Sequence, residues 1–171
     1  MSIRPCRDDE RATVLAIVNA AAQAYRDVIP ADCWHEPYMP ADELDREIDA
    51  GVVFWGYEDG GELVGVMGVQ DVGDVDLMRH AYVLPGRQRR GVGGALLEQL
   101  AGPTERPILV GTWAAAEWAI DFYRRHGFQL VSRERGAELL RRYWSIPDRQ
   151  VETSVVLELR VPTTRWWASR S

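Results

Sequence analysis

The sequence predicts a mixed α/β domain built on a central, largely antiparallel sheet flanked by helices. Three observations predict it. The chain has 171 residues, 46% hydrophobic and 27% charged, the size and mix of one globular core. Val52 to Leu84 reads as three strands in a meander, and segments of helical period lie before and after it. At this length roughly 70% of the unfolded chain's surface can be buried, so neither disulfides nor a structural metal is required.

The elements follow in order. A short strand around Ser2 to Arg4 precedes a helix from Asp9 to Arg26, where Val14, Ile17, Val18, Ala21 and Tyr25 recur at helical spacing behind an acidic start. Val28 to Pro40, with three prolines and Trp34, His35, Glu36 and Tyr38, is an aromatic loop. A shorter helix runs from Asp42 to Ala50, with Leu44 and Ile48 on its buried edge. The meander comprises Val52 to Glu58, the Asp59-Gly60-Gly61 turn, Leu63 to Asp71, a turn at Val72-Gly73-Asp74, and Val75 to Leu84. Gly91 to Ala101 is a helix, Ile108 to Thr112 a short apolar strand, and Ala116 to His126 a helix closed by Gly127 in the left-handed position. Phe128 to Ser132 is a strand, Gly136 to Tyr143 a helical turn or two, and Thr153 to Val161 the last strand. One domain over 1–161 and a tail over 162–171, with Trp166 and Trp167 facing either the domain or a dimer contact, complete the organisation.

Composition narrows the function. All 20 basic residues are arginine, against 26 acidic ones, and the net charge of -6 disfavours a general nucleic-acid or anionic-membrane binder. There is no apolar leader and no run of about 18 apolar residues, so a cytoplasmic protein is expected. Cys6 and Cys33 form no zinc-type cluster, and no metal is expected.

The chemistry concentrates in Gln88-Arg89-Arg90-Gly91-Val92-Gly93-Gly94-Ala95, which joins a strand to a helix N-terminus where backbone N–H groups point outward. Its glycines let a phosphate approach the main chain, and Arg87, Arg89 and Arg90 add positive charge. A Walker loop would need lysine, which the chain lacks. A dinucleotide fingerprint starting at Gly91 would need a small residue where Leu96 stands, and a parallel unit rather than a meander before it.

The loop instead resembles the pyrophosphate loop of the GNAT-superfamily N-acetyltransferases, [Gln/Arg]-x-x-Gly-x-[Gly/Ala], through Gln88, Gly91 and Gly93, with Tyr82-Val83-Leu84-Pro85 as the preceding strand end. A second block, Ala119-Ile120-Asp121-Phe122-Tyr123-Arg124-Arg125-His126-Gly127-Phe128, is similar to the family's Ala-x-x-Phe-Tyr-x-x-x-Gly-Phe signature. The resemblance implies a GNAT-like fold and acetyl-CoA as donor. Its pyrophosphate would lie on residues 88–93 and the N–H groups from Gly91 to Ala95, its pantetheine arm along Ala81, Tyr82 and Val83 between two splayed parallel strands. The thioester carbonyl would meet an N–H near Ala81.

By the same resemblance Tyr123 protonates the departing CoA thiolate; the alternative is an aromatic packing beside Phe122. Some members carry a glutamate where Leu77 stands and an asparagine where Ala116 stands. The base therefore stays open among His80, Glu36 and His35, or water relayed by them, although His80, mid-strand among apolar residues, also reads as a satisfied core histidine. Trp34, Tyr38, Asp32 and Glu36 suggest a small cationic or aromatic amine as acceptor. Arg141 and Arg142 read as surface charges. The expected reaction is N-acetylation of a primary amine by direct attack in a ternary complex. A protein or peptide acceptor, or an acyl-CoA sensor without turnover, are the alternatives. A homodimer is left open.

Overall fold

Val52–Asp59 (β2) and Glu62–Asp71 (β3) form a hairpin because Gly60 and Gly61 take φ of +61° and +83°, a region that glycine enters without a Cβ penalty. Asp76–Val83 (β4) returns alongside β3, and Ser2–Pro5 (β1) pairs with the outer edge of β2, all antiparallel. In the computed structural model, which describes residues 1–160, the chain continues through Ile108–Trp113 (β5), Gln129–Leu130 (β6) and Ser154–Leu159 (β7) into a seven-stranded sheet of order β1-β2-β3-β4-β5-β7-β6. The mixed, largely antiparallel sheet expected from the sequence is the one observed.

The one parallel contact among the described residues joins β4 to β5, from Asp76 opposite Ile108 to Met78 opposite Val110. Asp76 pins that junction: Arg106 binds its carboxylate at 2.6 Å, and the Thr104 hydroxyl donates to it at 2.5 Å. Beyond Met78 and Val110 the strands part. Arg79 to Val83 stays with β3, while Gly111 to Trp113 stays with β7, and a splay opens in mid-sheet.

Helices Arg11–Ala22 (α1), Ala41–Asp49 (α2), Val92–Ala101 (α3), Glu117–Arg125 (α4), Arg133–Tyr143 (α5) and Asp148–Glu152 (α6) cover the sheet. From α3, Val92, Leu96 and Leu97 pack with Tyr123 of α4 against Met67, Met78 and Val110. The alternate side chains face the other way: Val14, Ile17 and Leu44 from α1 and α2 meet Phe54 and Val66, and Leu140 and Val151 meet Leu77 and Leu109. Leu96 is wholly buried, and truncation to alanine there would cost about 2–5 kcal/mol.

Several boundaries move. The first helix is shorter than Asp9 to Arg26, with 3-10 turns at Asp8–Glu10 and Gln23–Tyr25. The strand expected over Phe128 to Ser132 shrinks to Gln129–Leu130. Ser132 instead caps a helix, its Oγ accepting from the Arg135 N–H at 3.3 Å, so α5 begins well before Gly136. The short α6 after Pro147 has no counterpart in the sequence reading. Val161 and the tail, Trp166 and Trp167 included, lie outside the described residues.

Candidate active site

At the end of β4 the Gln88 side chain donates to the Val83 carbonyl at 3.2 Å, folding the next loop back onto its strand. Arg89 and Gly91 then take φ of +62° and +79°, and the chain enters α3. The N–H groups of Val92, Gly93 and Gly94 have no protein acceptor among the described residues, so the helix presents an unpaired, partly positive N-terminus. The loop is also tightly packed against α4. A Cβ on Gly94 would lie 2.9 Å from His126 Nε2, and one on Gly93 3.4 Å from the Phe122 ring.

This terminus opens on a cavity of about 930 Å³ in the splay between β4 and β5. Ala81, Tyr82 and Val83 line one wall, and Val110, Gly111 and Thr112 the other, with Gln88, Arg89 and Gly91 to Gly94 at the loop end. Tyr123 projects from α4 into the same space. It is 6% exposed, edge-on to Phe122 and Phe128, and burial raises its phenol pKa above the ordinary value. No hydrogen bond to its hydroxyl is found among the described residues.

Beyond the splay, α1, α2 and the loop between them supply another part of the wall. Tyr25, Tyr38 and Tyr82 form an aromatic cluster with ring centroids 6.2–6.5 Å apart, and the Tyr38 hydroxyl accepts from Trp113 Nε1 at 3.2 Å. Burial pushes the Tyr25 phenol up to about 12 and the Tyr82 phenol well above its usual value. His35 lines this region, its Nδ1 2.9 Å from the Pro37 carbonyl. Glu43 and Glu47 bring two carboxylates from α2. His80 Nε2 is in close contact with Glu47 Oε2, off the line of a hydrogen bond, and Arg79 binds the other oxygen at 2.9 Å. Burial would raise the Glu47 carboxyl, but the contacts with His80 and Arg79 outweigh it and hold the group below its ordinary range.

The profile of the GNAT-family acetyltransferase domain matches residues 50–130, the stretch containing the meander, the loop and the Tyr123 block. The chain carries a GNAT acetyltransferase domain. The fold agrees. A PaiA N-acetyltransferase from Thermoplasma acidophilum, solved with coenzyme A, shares 13% identity at a TM-score of 0.68 and covers 94% of this chain and 100% of its own. A ribosomal-protein-alanine N-acetyltransferase from Brucella melitensis gives 16%, 0.64, and 94% and 100% coverage. A GNAT-family acetyltransferase from Elizabethkingia anophelis with acetyl-CoA bound gives 14%, 0.60, and 94% and 97%.

Within this GNAT domain, most of the expected donor residues stand together on one cavity wall, and two do not. The Ala95 N–H already donates to the Gly91 carbonyl at 2.9 Å, closing the first turn of α3, and Arg90 lies outside the lining. The acceptor expectation needs more revision. Trp34 packs on Tyr38 with centroids 5.6 Å apart, outside the lining, and its Nε1 donates to Glu36, which is exposed. Asp32 is tied to Arg149 at 2.9 Å. His80 is no satisfied core histidine, because it faces the cavity and a carboxylate. Glu43 and Glu47 were not singled out in the sequence; the signal was their position on the α2 face of an aromatic loop, which fixes no distance to β4. Arg141 and Arg142 are surface charges, as expected, with Arg142 3.1 Å from Asp74. Among the described residues no helix is long and apolar enough to cross a membrane, and no metal-ligating cluster occurs.

Proposed function

We propose that the protein N-acetylates a primary amine of a small molecule, with acetyl-CoA as donor substrate and direct attack in a ternary complex. The observation that carries this reading is one continuous cavity running from the unpaired N–H groups of Val92, Gly93 and Gly94, through the splay, to the carboxylates of Glu43 and Glu47. A diphosphate suits the first end by charge and by unmet hydrogen bonds. An amide-bearing arm suits the β4 edge at Ala81, Tyr82 and Val83, and a cation suits the last end, where ring faces and carboxylates combine. The acceptor side is covered by the 26–40 loop, tied to α6 through Asp32 and Arg149, which favours a compact acceptor over a folded protein surface.

Tyr123 stands where the departing thiolate is expected. Its raised pKa keeps it protonated through the neutral range, so a proton is available when the C–S bond breaks. The charge developing on the thioester oxygen would meet the Ala81 N–H.

Thermal-shift titration with acetyl-CoA, CoA, ATP and NAD, followed by CoA-thiol release across an amine panel, tests the proposal. A ligand at 100 times its Kd adds about 2.7 kcal/mol, which at this length raises Tm by roughly 5–10 °C. A shift with both CoA species, and thiol release that depends on a small amine, is the expected result. Binding without release under any amine would make the domain a sensor, and no binding would sink the donor site.

A further inference from the structure

β4 becomes irregular where it leaves β5. Val66 faces Tyr82 and Gly68 faces Arg79, so His80 and Ala81 together oppose Met67 in a bulge. His80 takes φ +54°, a left-handed conformation unusual for a residue with a side chain and typically retained where the surroundings enforce it. The ring lies between Phe54 and Tyr82, stacked at centroid distances of 5.9 and 6.4 Å, and lines the cavity one residue before Ala81. Its Nε2 is turned to Glu47, which leaves Nδ1 as the second basic nitrogen. Glu47 is itself fixed, since Arg79 bridges it to Gln70 with contacts of 2.9 and 3.1 Å.

We propose that His80 is the general base of acetyl transfer, taking the acceptor's ammonium proton at Nδ1, and that Glu47 is the positioning residue that orients its ring. The proposal rests on the acetyl-transfer reading above. The groups around the imidazole are Glu47 from α2, Arg79 and Tyr82 from β4, Phe54 from β2, and Tyr38 through Tyr82, with Glu43 lining the same cavity. Ionised Glu47 stabilises the imidazolium as it forms, and Arg79 keeps that carboxylate from being buried alone. The balance is complete. The ammonium gives one proton to Nδ1, and the freed lone pair bonds to the acetyl carbonyl carbon. The C–S bond then breaks and the thiolate takes a proton from Tyr123. The amine nitrogen's second proton resets Tyr123, and His80 returns its own to solvent, for a net release of one proton.

The test uses the full chain with tyramine, 1,4-diaminobutane and an alanine-terminated tripeptide as probes. His80→Asn suits the left-handed backbone and removes the base, and His80→Gly suits it and leaves room for added imidazole. His80→Asn should lower kcat by about 10²-fold or more, within the range of general acid–base catalysis, with the acetyl-CoA Kd unchanged. Added imidazole should restore rate to His80→Gly, and Glu47→Gln should lower kcat with KM and the acetyl-CoA Kd unchanged, because the ring loses the carboxylate that orients it. Wild-type kcat in both His80 variants, or a loss that imidazole does not rescue, overturns the proposal. If His80→Asn no longer binds acetyl-CoA, imidazole rescue of the glycine variant and the kcat of Glu47→Gln decide. Wild-type silence on all three probes with acetyl-CoA bound brings down the transfer reading, and the base with it.

Discussion

Removing one oxygen from Tyr123 separates chemistry from packing. Tyr123→Phe keeps the ring that packs against Phe122 and Phe128 at centroid distances of 5.1 and 5.4 Å. The hydroxyl has no hydrogen-bond partner among the described residues, so the substitution breaks no internal bond and Tm should stay at the wild-type value. The kinetic effect should be large. A positioned general acid contributes about 10²–10⁴-fold, or about 2.7–5.5 kcal/mol at 1.36 kcal/mol per tenfold. Burial raises the phenol pKa, so the alkaline limb that Tyr123 imposes on kcat lies above its usual value of 10 and disappears in the variant. Thiol release measured across pH, beside a melting curve and an acetyl-CoA titration, checks each part. Wild-type kcat with an unchanged alkaline limb would refute the acid assignment, and a lowered Tm would refute the claim that the oxygen carries no structural bond.

Gly91→Ala should lower both stability and acetyl-CoA affinity. At φ +79° a Cβ costs about 1–2 kcal/mol, or roughly 2–8 °C in Tm at this length, and melting with and without CoA would reveal an absence of effect. Acid should destabilise the fold through Glu10, whose carboxyl Arg4 and the Arg7 N–H hold at about 2 against an ordinary 4.5. Because the folded value is the lower one, this stabilisation is present above pH 4.5 and is lost as pH falls toward 2. Arg4→Ala should flatten that part of a Tm-against-pH curve, and an unaltered curve would exclude the pair as its source. Glu43→Gln should raise the KM of a cationic acceptor about 10–100-fold, the equivalent of the 1.5–3 kcal/mol contributed by a hydrogen bond to a charged group. Glu36→Gln, off the cavity wall, should leave that KM unchanged, and the reverse order in initial-rate assays would return the acceptor to the aromatic loop.

The meander and the donor loop were legible because their physics is local. Asp59-Gly60-Gly61 encodes its own turn, and Gln88 to Gly94 carries in seven residues both the left-handed positions and the missing side chains that an anion needs. Gly127 at φ +91° closes α4 where the sequence puts it. The Ser132 cap is equally local, its Oγ accepting from the N–H three residues on, and it starts α5 ahead of Gly136. Glu47 was not legible. Its partners Arg79 and His80 lie more than thirty residues away, and the bulge that turns His80 toward it depends on the pairing of Val66 and Gly68, which no window of β4 contains. Trp34 and Glu36 mislead for the opposite reason: they have the right chemistry in the right loop, but bond to each other and stand outside the cavity lining.

The proposed donor end is built from Ala81 to Gly94, one strand end and one helix start, so little in it can change without losing the turn or the unpaired N–H groups. The acceptor end is assembled from α1, the 26–40 loop, α2 and β4, and each contributes side chains whose identity the fold does not fix. Substitution at Glu43 or His35 leaves the sheet and the loop intact, because neither belongs to the buried core that holds α1 and α2 on β2 and β3. A shared donor site therefore says little about which amine enters. On the reading proposed above, the residues that choose the amine are those lining the cavity past Tyr82, where a tyrosine cluster, two carboxylates and a histidine held at φ +54° stand together.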